Sequence, residues 1–194
     1  MIQETMIPLA RLTLEDPRSA ARQVMAMDLS RDALWTALAL VAIVNTFLVT
    51  LLMTVSAPTM PMPTYMERPL ALFVLIAGLM VVYVHAMYWA GLTIGGKGRL
   101  MDVLALVVWF QILRAAAQLA IVVLSLALPA AGLLLSLVVA VWGLWIFMNF
   151  LATALNLKSP WHSIAVMAVA FVGLVFGMGI LAGLIGGIAQ GGAS

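Results

Sequence analysis

Residues 102–156 read DVLALVVWFQILRAAAQLAIVVLSLALPAAGLLLSLVVAVWGLWIFMNFLATALN, and in that whole stretch only Asp102 and Arg114 carry charge. A bilayer hydrocarbon core about 30 Å thick takes about 20 apolar residues of helix, so the stretch holds two spans. Pro129-Ala130-Ala131-Gly132 is the only break, short enough for a tight hairpin between spans 102–128 and 133–156. Upstream, Gly95-Gly96-Lys97-Gly98 closes an apolar run over 70–94. Pro58, Pro61 and Pro63 follow another over 33–57. Downstream, Pro160 opens a fifth run over 162–188, and 189–194 form an outer tail. The expectation is an all-α polytopic membrane protein whose five-helix domain occupies 33–188.

The composition agrees. Of 194 residues, 65% are hydrophobic and 8% charged, with mean hydropathy +1.20, which excludes a water-soluble globular domain. Nine of the 16 charged side chains fall within residues 1–32. The pI near 9.4 accompanies a net charge of only +2, and the basic residues stand at segment ends, where they report topology rather than nucleic-acid binding. With no cysteine, there is no disulfide framework or thiolate chemistry.

Cytoplasmic loops carry the excess of lysine and arginine. Arg11, Arg18, Arg22 and Arg31 precede the first span, Lys97 and Arg99 lie between the second and third, and Lys158 lies between the fourth and fifth. Arg68 stands alone on the opposite side. Trp35, Trp89 and Trp161 fall at the same inner boundary. The N-terminus is therefore expected inside and the C-terminus outside. Residues 1–32 contain no apolar core of a signal peptide and read as a cytoplasmic lead-in. Asp16-Pro17 makes a helix start, and Ala21, Val24, Met25 and Asp28 follow on one face, giving a short interfacial helix. It serves either as a docking helix for a soluble partner or as a collar on the protein's own inner face.

Arg114 is the only charge inside a span and is expected near mid-membrane, where an isolated arginine costs about 2.5–3.5 kcal/mol and demands partners. Gln111 and Gln118 share its helix face. Asn45, His85, Tyr88 and Asn149 fall at a similar depth, so Asn45, His85, Tyr88, Gln111, Arg114 and Asn149 are expected to form a buried polar layer. Such a layer either locks helix packing or receives an acidic group of a partner or a lipid phosphate.

Other patterns carry less. Gly91 to Gly98 fits G-x-x-x-x-G-K, but Gly98 stands where a magnesium-binding hydroxyl belongs and a membrane helix precedes it, so nucleotide binding is not expected. The segment reads instead as a flexible inner turn whose Lys97 and Arg99 meet anionic headgroups. Met60, Met62 and Met66 offer soft sulfur in the outer loop, without histidine or cysteine, and read as loop packing rather than a metal site. Gly173, Gly177, Gly179, Gly183 and Gly187 give the last span small residues at four-residue spacing, suited to packing within the bundle or to an interface with another subunit. No nucleophile–base or paired-carboxylate arrangement appears, so neither enzyme activity nor a cofactor or metal is expected.

Gly95-Gly96-Lys97-Gly98-Arg99-Leu100-Met101-Asp102 and Ser159-Pro160-Trp161-His162-Ser163-Ile164-Ala165-Val166 resemble bacterial members of the Yip (Ypt-interacting protein) family. The span count and the cytoplasmic lead-in fit that resemblance over the whole chain. It implies a fold and no settled activity, and the location expected is a bacterial cytoplasmic (inner) membrane. Eukaryotic relatives bind Rab-type GTPases through an Asp-Leu-x-Gly-Pro motif. Here Asp28-Leu29 is followed by Ser30-Arg31, so Rab binding does not carry over. The functional expectation is a membrane scaffold, adaptor or assembly partner of a larger complex, bound in the lipid bilayer to a membrane-protein partner or to further copies of itself. The alternative is a small-solute or ion permease acting as an oligomer. A transporter calls for an internal repeat and polar groups reaching both faces, and neither is visible.

Overall fold

The computed structural model describes residues 2–55 and 68–191, with side chains over 6–53 and 68–176. Every regular element among them is helical: α1 (Ile2–Glu15), α2 (Pro17–Ala26), α3 (Arg31–Val55), α4 (Pro69–Thr93), α5 (Leu100–Ala127), α6 (Pro129–Ala154) and α7 (His162–Gly191). α3 to α6 are each long and apolar enough to cross a membrane. α7 runs for 30 residues, with described side chains as far as Phe176. The Met60, Met62 and Met66 loop lies outside the described residues, as do the end of the tail and the side-chain positions of Gly177, Gly179, Gly183 and Gly187.

α5 is the central pillar, packed against α2, α3, α4 and α6. Its residues Val103 to Trp109 are buried consecutively, all the way round the helix, as an enclosed apolar helix requires. The opposing buried run on α6 spans Ile146 to Ala152, and Met80, Val84, Met87 and Ala90 close the core from α4. Burial is concentrated at one end of the bundle, the end that also holds α1 and α2. At the other end Leu126, Leu128, Leu133 and Leu134 are exposed. Because lipid tails are as apolar as leucine, the packed end gains its stability from close van der Waals contact and interhelical hydrogen bonds.

Two boundaries differ from the sequence reading. The hairpin expected over 129–132 shrinks to Leu128, which has φ −145° and ψ 89°, and α6 already starts at Pro129. Proline suits the first helical position because the missing N–H would be unpaired there anyway. Gly132 is then needed for close approach, since a Cβ would fall 2.0 Å from Ser125 Oγ on α5.

The second difference is the Gly-rich turn, which is not a free loop. Gly95 takes φ +91° past the end of α4, Gly96 N–H donates to Gly91 O at 2.9 Å, and Lys97 N–H donates to Leu155 O at 2.8 Å. A Cβ on Gly98 would lie 2.0 Å from Ala154 O. Across from it, α6 ends on Asn156 at φ +52°, with Leu157 N–H donating to Ala152 O at 2.8 Å. Two helix ends are thus capped against each other, and the glycines provide the clearance.

Candidate functional site

α1 and α2 form a helical hairpin that turns at Asp16. Asp16 caps α2, accepting from Ser19 N–H at 3.1 Å, and Pro17 takes the first helical position. The hairpin is fastened to the membrane helices at three points. Trp109 Nε1–H of α5 donates to Thr13 Oγ1 at 3.0 Å, Trp142 Nε1–H of α6 donates to Leu14 O at 3.4 Å, and Arg18 Nε–H donates to Asn149 Oδ1 at 3.0 Å. Leu9, Thr13, Ala20 and Ala21 are buried beneath it. The opposite face is open: Arg11 and Glu15 pair at 2.8 Å with side chains 79% and 60% exposed, and Ile7 is 75% exposed.

Beside the hairpin, α5 and α6 line a half-open groove of about 590 Å³. Ala10 and Leu14 close it at the hairpin, and Phe110, Leu113, Ala117, Ile121, Val139 and Gly143 line its length. Its polar groups are Arg114, Gln118 and Ser136. Arg114 Nη2–H donates to Asn45 Oδ1 at 3.2 Å, and among the described residues no carboxylate pairs with it.

The six residues expected as one polar layer are divided. Arg114 and Asn45 meet, and Asn45 returns its own amide N–H to Val41 O at 2.9 Å. Asn149 gives its oxygen to Arg18 of α2, which packs against α6 alongside α5. His85 bonds Val81 O at 2.8 Å on its own helix and stacks on Trp35 with ring centroids 5.9 Å apart. Tyr88 packs edge-on to Trp89. Gln111 Oε1 is buried with no partner among the described residues.

The two inner-turn cations also have different surroundings. Lys97 is exposed, whereas Arg99 lies 3.3 Å from Asp102 and 3.8 Å from Asp28, linking α5 to the segment after α2. A Cβ on Gly173 would meet nothing within 4 Å among the described residues.

Sequence reasoning missed α1 and, with it, Thr13, Arg18, Trp109 and Trp142 as a group. Their signal was available: Met6, Leu9, Ala10 and Thr13 repeat at helical spacing, although Pro8 and the flanking charges obscured it.

Four long apolar helices, with an amphipathic hairpin bonded to two of them, define an integral polytopic membrane protein. The Yip1 domain matches residues 11–189, and the chain belongs to that family. The match begins inside α1, so the hairpin is part of the family's domain for most of its length. No curated protein and no solved structure matches the chain.

Proposed function

We propose that this protein is a five-span scaffold or adaptor of a bacterial cytoplasmic membrane, an assembly partner for a larger complex, without catalytic activity of its own. α7 supplies the fifth span. The N-terminus and the hairpin lie in the cytoplasm and the C-terminus lies outside. The orientation draws support from charge: Arg11, Arg18, Arg22, Arg31, Lys97, Arg99 and Lys158 gather around the hairpin end, and Arg68 begins α4 at the other.

One observation carries the adaptor reading. The α1–α2 hairpin is bonded to α5 and α6 at three points while its outer face keeps Ile7, Arg11 and Glu15 open. A helix pinned to the membrane domain with an exposed mixed face is a preordered docking surface, because its ordering entropy is already spent in folding.

The test is affinity purification from mild detergent of the wild type beside an Ile7→Asp, Arg11→Glu double variant. The expected result is a stoichiometric membrane or peripheral partner with the wild type and its loss with the variant, at unchanged melting temperature. Absence of any stoichiometric partner from chemically cross-linked cells would overturn the adaptor reading.

A further inference from the structure

The depth of Arg114 follows from its neighbours. Thr13 of α1 bonds Trp109 of α5, so the charged outer face of α1, with Arg11 and Glu15 exposed, lies level with Trp109 and Trp142. Lipid hydrocarbon does not accept such a face, and the half-exposed Trp142 suits the membrane boundary, so that level is read as the bilayer interface on the hairpin side. From Trp109 to Ala127, α5 has about 27 Å of rise left, close to the thickness of a hydrocarbon core. Arg114 lies five positions after Trp109, roughly 7.5 Å deeper along the helix, and its long side chain leans back toward the helix N-terminus. The guanidinium therefore sits at headgroup depth and not at mid-membrane.

At that depth it faces a groove with the form of a ligand site. The volume of about 590 Å³ is within the range of about 300–1,000 Å³ common for small-molecule pockets. The lining is apolar except for Arg114, Gln118 and Ser136. Val138 and Trp142 on its α6 wall are 59% and 48% exposed, so the groove opens sideways onto lipid. Among the described residues Arg114 has a neutral amide as its partner, so most of its five donors and its charge meet no acceptor or counter-charge there.

We propose that this groove holds one anionic phospholipid of the hairpin-side leaflet, its phosphate on the Arg114 guanidinium and one acyl chain along the seam past Ala117 toward Ile121 and Val139. Phosphate supplies the bidentate acceptor that Asn45 cannot, and charge-assisted bonds of this kind are about twice as strong as neutral ones. Basic pockets between membrane helices are suited to headgroups for the same reason. Ala10 and Leu14 of α1 wall off the groove at its interfacial end, which holds the headgroup beside the hairpin.

The inference does not depend on the adaptor reading, since its readout involves lipid and protein alone. Purified full-length protein in detergent is incubated with an equimolar mixture of phosphatidylglycerol and phosphatidylcholine of identical chains, and the adducts are weighed by native mass spectrometry. The wild type should retain the anionic lipid at least fivefold over the zwitterionic one. Arg114→Met should abolish that preference, and Val139→Phe, which fills the seam and leaves the Arg114–Asn45 bond in place, should lower both adducts. Val139→Phe keeps the test decisive even where Arg114→Met does not fold. Equal retention of the two lipids by the wild type, an undiminished preference in Arg114→Met, or full retention in Val139→Phe would each overturn the proposal. Displacement of the lipid by millimolar inorganic phosphate would do so too, because it would make this a free-anion site.

Discussion

Trp109 and Thr13, separated by 96 positions in the chain, are joined by a buried hydrogen bond of 3.0 Å from the indole Nε1–H to the threonine hydroxyl. The same hydroxyl donates to Leu9 O at 2.8 Å, so one side chain both completes α1 and fixes it to α5. Trp109 lies in the fully enclosed segment of α5, where an unpaired N–H has no water to turn to.

Thr13→Val keeps the shape and removes the acceptor. It should destabilise the protein by about 1–3 kcal/mol, the cost of an orphaned buried donor. Thermal unfolding in detergent measures the loss. Trp109→Phe in the Thr13→Val background should then cost less than in the wild type, and additive losses would show that the bond contributes nothing.

The glycines of the α4–α5 turn should rank by clearance. Gly98→Ala puts a Cβ 2.0 Å from the Ala154 carbonyl, a backbone atom that cannot step aside, and should destabilise by about 1–3 kcal/mol or more. Gly95→Ala has room but must hold φ +91°, which costs about 1–2 kcal/mol. Gly78→Ala, in the middle of α4 with nothing within 4 Å, should be neutral or stabilising by up to about 1 kcal/mol. Melting temperatures in the order Gly98→Ala, Gly95→Ala, wild type, Gly78→Ala would match the packing, and a tolerated Gly98→Ala would show that the turn is loose.

The cap of α2 should respond to acid. The hydroxyl and backbone N–H of Ser19 hold the Asp16 carboxyl below its ordinary value of 3.8, the hydroxyl contributing most. A depressed folded value means that the carboxylate's contribution is complete above the unfolded value and is lost as pH falls through the folded one. Amide exchange or limited proteolysis of residues 16–26 should therefore show loosening only below about pH 4, the lower end of the usual carboxylate range. Asp16→Asn, which caps nearly as well without titrating, should remove the pH dependence and keep neutral-pH protection. Identical acid profiles for the two proteins would assign the loosening elsewhere.

Topology can be read with fusions. A cytoplasm-active reporter at the N-terminus and a periplasm-active reporter after Ser194 should both give signal, since an odd number of spans places the ends on opposite sides. Silence from the C-terminal fusion, with expression verified, would mean an even number of spans and would remove α7 from the membrane.

The apolar runs behind α3 to α6 were legible because a bilayer imposes a local length rule: about 20 predominantly apolar residues suffice, whatever lies beside them. The Asp16-Pro17 start of α2 was legible for the same kind of reason, since a cap satisfies its own helix end. What local rules cannot supply is which helix stands beside which. Asn149 looked like a companion of Arg114 by depth, but its amide oxygen belongs to Arg18, 131 positions earlier. Gly98 looked like freedom and is clearance for the Ala154 carbonyl. α1 escaped because its buried face is narrow and its charges lie on the other, so its place is set by packing on α2 and by the indoles of Trp109 and Trp142, which bond Thr13 and Leu14. The residue types were set by the chain alone. Their partners, and the groove left open around Arg114, were set by how the helices fit together, because hydrogen bonds and close packing form only between groups that the assembled bundle brings within a few ångströms.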